Sequence, residues 1–411
     1  MKAMATLCLT GEIMLEQVPI DDLQPGMYVN QVLEQTGSLK MRSKGIVKTQ
    51  AIIDSLKSKG ILSVEVDLAK SKLPEPAVPP EPAKEKEPEV TKPVVKPVGR
   101  DSINEANELY SSAIAIQSSF LKSLKNGAVK DLSPMESLSQ SLIESVFDNK
   151  DALSCLTMIK DTDQYLLEHS INCSVLSGIF CEFLGYDRDT TEQVSLGALL
   201  MDIGMSSLPD EIRNNTGEFS SDDWEVMKTH VEIGADLVEQ CGDISDLSLR
   251  IIEEHHERVD GSGYPRGLVG DEISEFARIA AIVDAYDAMT SNRTHKNSIT
   301  PTQALKRLTA TENLDQELVK QFIQCIGVHP VGSLVRLKSG KLGIVSKINP
   351  KDPVSPHVMT FYSVTSQHFN EVKRVDLSQY DDEIVSGVRP EEFSLNLPKF
   401  FKDVFINQMP L

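Results

Sequence analysis

Short apolar runs separated by turn signals open the chain: Val18-Pro19-Ile20, then Leu23-Gln24-Pro25-Gly26-Met27-Tyr28-Val29, then Ile46-Val47. A helical stretch, Thr49 to Lys59, stops at Gly60, and a strand pattern comes next in Ile61-Leu62-Ser63-Val64-Glu65-Val66. Residues 16–70 therefore read as a small α+β module. Beyond residue 100 the period changes. Apolar residues recur at spacings of three and four in Asn104–Lys125 and Pro134–Asn149, which predicts amphipathic helices packed on the helical sequence downstream of them. From about Val331 the pattern turns to β, with Ser333–Leu337 and Leu342–Val345 joined by a Ser339-Gly340-Lys341 turn. Val358–Val364 and Glu371–Val375 predict further strands, and the remainder to Leu411 reads only as a mixed tail. The expected fold is mainly α: a helical bundle over 101–330 between the α+β module and a short β-rich tail, 331–411.

Composition sharpens the boundaries. Between Leu73 and Gly99 lie eight of the 21 prolines, interleaved with Glu and Lys. Such a stretch buries too little apolar surface to offset chain entropy, so 71–100 is expected to be an extended linker. A chain of 411 residues with 40% hydrophobic content has room for two or three folded domains. The net charge of -20, with a pI near 4.9, argues against nucleic-acid binding, which needs clustered Lys and Arg. An anionic substrate would then require a local cationic centre, and metal ions would supply one. Six cysteines are scattered without a CxxC pair, as expected of reduced thiols in a cytoplasm. Residues 1–15 form a leader too short and too interrupted for an export signal, and no run approaches the roughly 20 apolar residues of a membrane span.

The chemistry is expected around His255-His256-Glu257-Arg258-Val259-Asp260-Gly261-Ser262-Gly263-Tyr264-Pro265. Neutral imidazole is the commonest transition-metal ligand. Adjacent side chains on a helix diverge by about 100°, so the pair converges on one centre only if the helix ends there or a second centre lies beside the first. Gly261, Gly263 and Pro265 provide the ending. Two exposed histidines at a polar helix terminus are the plainer alternative. Other polar residues, His169, Asp202, His230 and Asp284, are embedded in apolar helical sequence over about 115 residues. Each taken alone is more often a core residue or a cap. Together they are costly to bury without partners.

The ordered set His169, Asp202, His230, His255-His256 and Asp284, succeeded by the Gly-Tyr-Pro loop of Asp260, Gly261, Gly263, Tyr264 and Pro265, closely resembles the HD-GYP family over residues 135–330. The family is a subgroup of the helical HD metallohydrolases whose substrate is the bacterial second messenger cyclic di-GMP. Residues 16–70 are similar to a small domain of unknown function that often precedes it. The resemblance implies one metal site from Asp202, His230, His255 and His256 and a second from His169, Asp202 and Asp284, with Asp202 bridging. Asp202, His255, His256 and Asp284 would thereby be catalytic. One or two divalent transition metals are implied, Fe or Mn in preference to Zn or Ni; such ions acidify water, neutralise phosphate and stabilise a leaving oxygen. Arg293, Lys296 and Asp287 are implied as substrate contacts, with Glu257 and Tyr264 as supports of the loop.

Two positions depart from the family's pattern. Met201 stands where the family has the His of its naming His-Asp pair, and Met205 where it has a Lys. Thioether is a poor ligand for hard or borderline ions. The expectation is a cytoplasmic, metal-dependent phosphodiesterase that converts cyclic di-GMP to linear pGpG or GMP. The alternative is a degenerate domain that binds the nucleotide or a protein partner without hydrolysis, partners docking on the Gly-Tyr-Pro loop or the N-terminal module.

Overall fold

In a computed structural model of the chain, residues 15–36, 45–47, 50–58, 60–67, 70–71, 100–127, 129, 131–158, 165–213, 215, 217–291, 298–393 and 395 are described. The chain divides into two compact units, Met1–Thr91 and Lys92–Leu411. Most of the expected leader and linker lie outside the described residues.

The first unit is a four-stranded antiparallel sheet made of β1 (Leu15–Pro19), β2 (Tyr28–Gln35), β3 (Gly45–Ile46) and β4 (Ile61–Asp67), in the order β1-β4-β2-β3. Helix α1 (Gln50–Ser58) contributes Ile53 and Leu56 to a core shared with Val18, Val29, Ile61, Val64 and Val66. The α+β reading of this segment agrees with the structure.

Helices dominate the second unit. Helix α2 (Arg100–Lys125) and α3 (Ser133–Thr157) lead into α4 (Tyr165–Leu184) and α5 (Arg188–Leu200). Helix α3 runs past its expected end because Asn149, with non-helical dihedrals, kinks it without ending it. Residues 151–157 beyond the kink are buried without exception. Helix α4 is likewise buried continuously from Glu168 to Cys181. It forms the central column of the bundle. A 3-10 turn, Ile203–Ser207, succeeds α5, and then come α6 (Asp210–Arg213), α7 (Ser221–Lys228), α8 (His230–Cys241), α9 (Asp246–Glu254), α10 (Glu275–Thr290), α11 (Pro301–Thr309) and α12 (Gln316–Ile326).

A five-stranded antiparallel sheet ends the unit: β5 (Leu334–Leu337), β6 (Lys341–Lys347), β7 (His357–Ser363), β8 (His368–Asp376) and β9 (Ile384–Gly387), in the order β8-β7-β6-β5-β9. Strand alternation explains its two faces. Leu334, Leu342, Ile344, Met359 and Phe361 join the helical core, while Val335, Leu337, Val345 and Val358 form a separate cluster. The expected hairpin is present, with Gly340 at φ 80° in its turn. Strand β9 is an addition to the expected tail.

Candidate metal centre

Three histidines enter the site by one device. His230 begins α8, His255 caps the end of α9, and His169 sits one turn into α4. The Nδ1 of His230 lies 2.7 Å from the Met227 carbonyl oxygen, and that of His255 2.9 Å from the Ile252 carbonyl oxygen. Carbonyls only accept, so each Nδ1 donates and each Nε2 keeps its lone pair. The Nδ1 of His169 donates in the same way to Asp287, 2.7 Å away. All three rings thus present Nε2 to the same place.

That place is the Asp202 carboxylate. The helical run of α5 ends before it, and Asp202 occupies the N-cap position of the 3-10 turn without making a capping hydrogen bond. Its Oδ1 faces His230 Nε2 at 3.4 Å and His255 Nε2 at 3.9 Å, whereas its Oδ2 faces His169 Nε2 at 3.5 Å. One oxygen serves each side. Asp284, from α10, brings Oδ1 to 3.2 Å from His169 Nε2. Asp202, His230, His255 and His256 each place one donor atom within 4.8 Å of the others.

Chain geometry makes these approaches. Gly204 lets the 3-10 turn lie against the start of α8, since a Cβ there would meet the His230 carbonyl oxygen. Beyond the histidine pair, Gly261 takes φ 80° and Gly263 passes so close to Glu257 and Arg258 that a Cβ would meet their backbone. Asp260 accepts from Ser262 N and Oγ, closing the first turn of the loop, and the Tyr264-Pro265 peptide is cis. Glu254 and Glu257, both buried, bracket the pair. Glu257 accepts from the backbone N–H of Arg266 and Leu268 at 2.7 and 3.0 Å, and Glu254 holds Arg250 and Arg266. The Tyr264 ring then stacks on His256, centroids 4.7 Å apart.

Burial pushes the His256 imidazole well below its ordinary pKa, with neighbouring His255 adding to the effect, and burial lowers His255 as well. Burial works against protonation of His169 too, but Cys173, Tyr165 and the hydrogen-bonded Asp284 and Asp287 together outweigh it and raise its pKa. Burial would raise Asp284; its hydrogen bond to His169 and the facing imidazoles hold it below the carboxylate range instead. The neutral imidazoles of His255 and His256 beside the ionised Asp284 suit a cation. The Nε2 atoms of His230 and His255 are buried without any hydrogen-bond partner. Orphaned polar atoms of this kind are rare, and the cluster is compatible with a divalent metal ion.

Several expected residues take other places. Asp287 is almost wholly buried and bonded to His169, Asn172 and Ser291, so it stands behind the centre and not against a substrate. Arg293 and Lys296 lie outside the described residues. Met201 is buried in the hydrophobic core, 1% exposed. Sequence reasoning missed Asn172, which donates to Asp287 at 3.1 Å and accepts from Tyr110 Oη at 2.7 Å, and Cys173, whose Sγ lies 3.8 Å from the His169 ring. Both sit three and four residues after His169, on its face of α4. Glu254 was equally missed.

Known proteins resemble this chain in sequence. Residues 154–318 match the HD domain family, and residues 15–135 match a domain of unknown function, DUF3391. A cyclic di-GMP phosphodiesterase of Pseudomonas aeruginosa is 30% identical over 393 residues, which cover 92% of this chain and 93% of that protein. The chain belongs to the HD-GYP family. Another cyclic di-GMP phosphodiesterase, from Thermotoga maritima, is 30% identical over 211 residues, 51% of this chain and 57% of that protein. Among solved structures, an HDG"Y"P protein from Bdellovibrio bacteriovorus is similar at 17% identity and a TM-score of 0.47, over 75% of this chain and 98% of that one. In this HD-GYP chain the DUF3391 match runs past residue 70 to cover α2 and the start of α3, so the N-terminal family pattern extends well beyond the small sheet.

Proposed function

We propose that this protein is a metal-dependent phosphodiesterase that cleaves cyclic di-GMP to linear pGpG or GMP. The observation that carries the reading is the pair of buried, unpartnered Nε2 atoms of His230 and His255 aimed at Asp202, and the names of the relatives supply the substrate. Asp202, His230, His255 and His256 would hold one ion, and His169, Asp202 and Asp284 a second, with Fe or Mn preferred. Bound there, the ions supply Lewis acidity to a phosphodiester and acidify water. The chain's own part is positional. The Nδ1 bonds fix the tautomers, Asp284 stays ionised beside His169, and the buried carboxylates of Glu254 and Glu257 keep the histidine pair in place.

No helix among the described residues is long and apolar enough to cross a membrane, and the five described cysteines are free and buried; we place the protein in the cytosol, with partners reaching it through the N-terminal unit or the Gly-Tyr-Pro loop. One observation favours a second reading, a nucleotide receptor without hydrolysis: Met201 and Met205 put thioethers where the family has an imidazole and an ammonium. The test is anaerobic purification of the full chain, metal quantification and turnover of cyclic di-GMP on one sample. About two metals with linear products supports the enzyme. Saturable nucleotide binding without turnover supports the receptor.

A further inference from the structure

A cavity of about 300 Å³ lies beside Asp202, walled by α2, α3, α4 and the segment after α5. Its walls are largely apolar, from Phe120, Leu121, Met135 and Leu166. One buried polar side chain interrupts them. Gln117 is 4% exposed and lines the cavity, and its Oε1 is buried without a hydrogen-bond partner. An acceptor held dry without a donor is destabilising, and a ligand N–H in the cavity would relieve it.

Cations mark the same cavity. Lys122 and Lys125 line it from α2, both exposed and neither in an ion pair among the described residues. Arg213 reaches it from α6, held by Asp210 and by the Ser206 carbonyl oxygen. Met205 lines the same cavity. Pockets that enclose a whole drug-sized ligand run from about 300 to 1,000 Å³, so this one is of a size for a single base and not for a cyclic dinucleotide entire.

Resting on the phosphodiesterase reading, we propose that this cavity receives one guanine of the cyclic dinucleotide while a phosphate lies at the His–Asp cluster, with Gln117 reading the base edge and Lys122 and Lys125 facing the phosphates. Guanine suits the orphaned acceptor because its N1–H and exocyclic amine are adjacent donors that can both face Oε1. Apolar walls suit a base. The lysines supply cationic charge near the position that Met205 leaves neutral. Gln117, Lys122 and Lys125 all belong to the stretch that matches DUF3391, so the N-terminal family pattern would supply part of the substrate site.

The experiment compares cyclic di-GMP with its di-inosine analogue, which lacks the exocyclic amines, as substrates and ligands of the full metal-loaded chain. Wild type should favour cyclic di-GMP by roughly tenfold to a hundredfold in KM. Gln117→Leu should lose that preference with kcat nearly unchanged, Gln117→Glu should keep part of it, and Lys122→Ala with Lys125→Ala should raise KM for both ligands. Wild-type turnover with the same preference in Gln117→Leu would overturn the subsite and leave the phosphodiesterase standing. Should wild type neither bind nor cleave any cyclic dinucleotide, the functional reading falls and the subsite falls with it.

Discussion

His169 Nδ1 and Asp287 Oδ2 lie 2.7 Å apart in the interior of the bundle, so a buried carboxylate decides which way a candidate ligand faces. Asp287→Ala removes the acceptor and leaves Asn172 and Ser291 to fill the gap. The expected result is a fold that persists, with metal affinity or turnover lowered by about tenfold to a hundredfold. Metal stoichiometry by mass spectrometry, alongside turnover, checks it.

Asp202 is shared, with one oxygen toward His230 and His255 and the other toward His169. Asp202→Ala should therefore strip the centre of all its metal. A variant that purified with the full wild-type complement would sink the ligand assignment.

Sequence patterning revealed the α+β module and helices α1 to α3 through their apolar spacing, and the hairpin through its Ser339-Gly340-Lys341 turn. It was blind where burial is complete. Residues 151–157 and the centre of α4 have no exposed face, and their polar residues are buried with the apolar ones. Strand β9 failed for the opposite reason, its residues being mostly exposed without alternation. At the site, polar residues inside apolar helices were legible as a set. Their division of labour was not: Asp284 and Asp287 lie three apart on α10, and only the packing of α4 against that helix gives one the centre and the other the back of His169.

Met201→His with Met205→Lys should raise turnover under the enzyme reading. Because Met201 packs in the apolar core, the new imidazole should also destabilise the metal-free protein by about 1–3 kcal/mol. Added metal should restore the lost Tm. Melting curves with and without metal, read beside kcat, check both halves, and an unchanged kcat would favour the receptor.

His256 supplies a pH prediction. Its folded pKa lies below that of the unfolded chain, so as pH falls through about 6.5 the unfolded state takes up the proton first and stability drops. Above that pH the penalty is absent. Metal-free wild type should lose stability relative to His256→Asn between about pH 7.5 and 5.5. Parallel urea titrations across that range would reveal the difference, and curves that stay parallel would contradict it.

Gly263 passes against the backbone of Glu257 and Arg258. Gly263→Ala must push the loop away from the histidine pair, at roughly 1–3 kcal/mol. The expected outcome is a lower Tm together with weaker metal retention, measured by dialysis against chelator.

His230 and His255 donate to carbonyl oxygens three residues behind them, those of Met227 and Ile252. Every residue type carries a carbonyl, so no side-chain replacement at 227 or 252 deletes either acceptor. His169 alone among the three leans on a side chain, Asp287, that a single base change can remove. Point mutation can thus loosen the His169 side of the centre far more readily than the side held by His230 and His255.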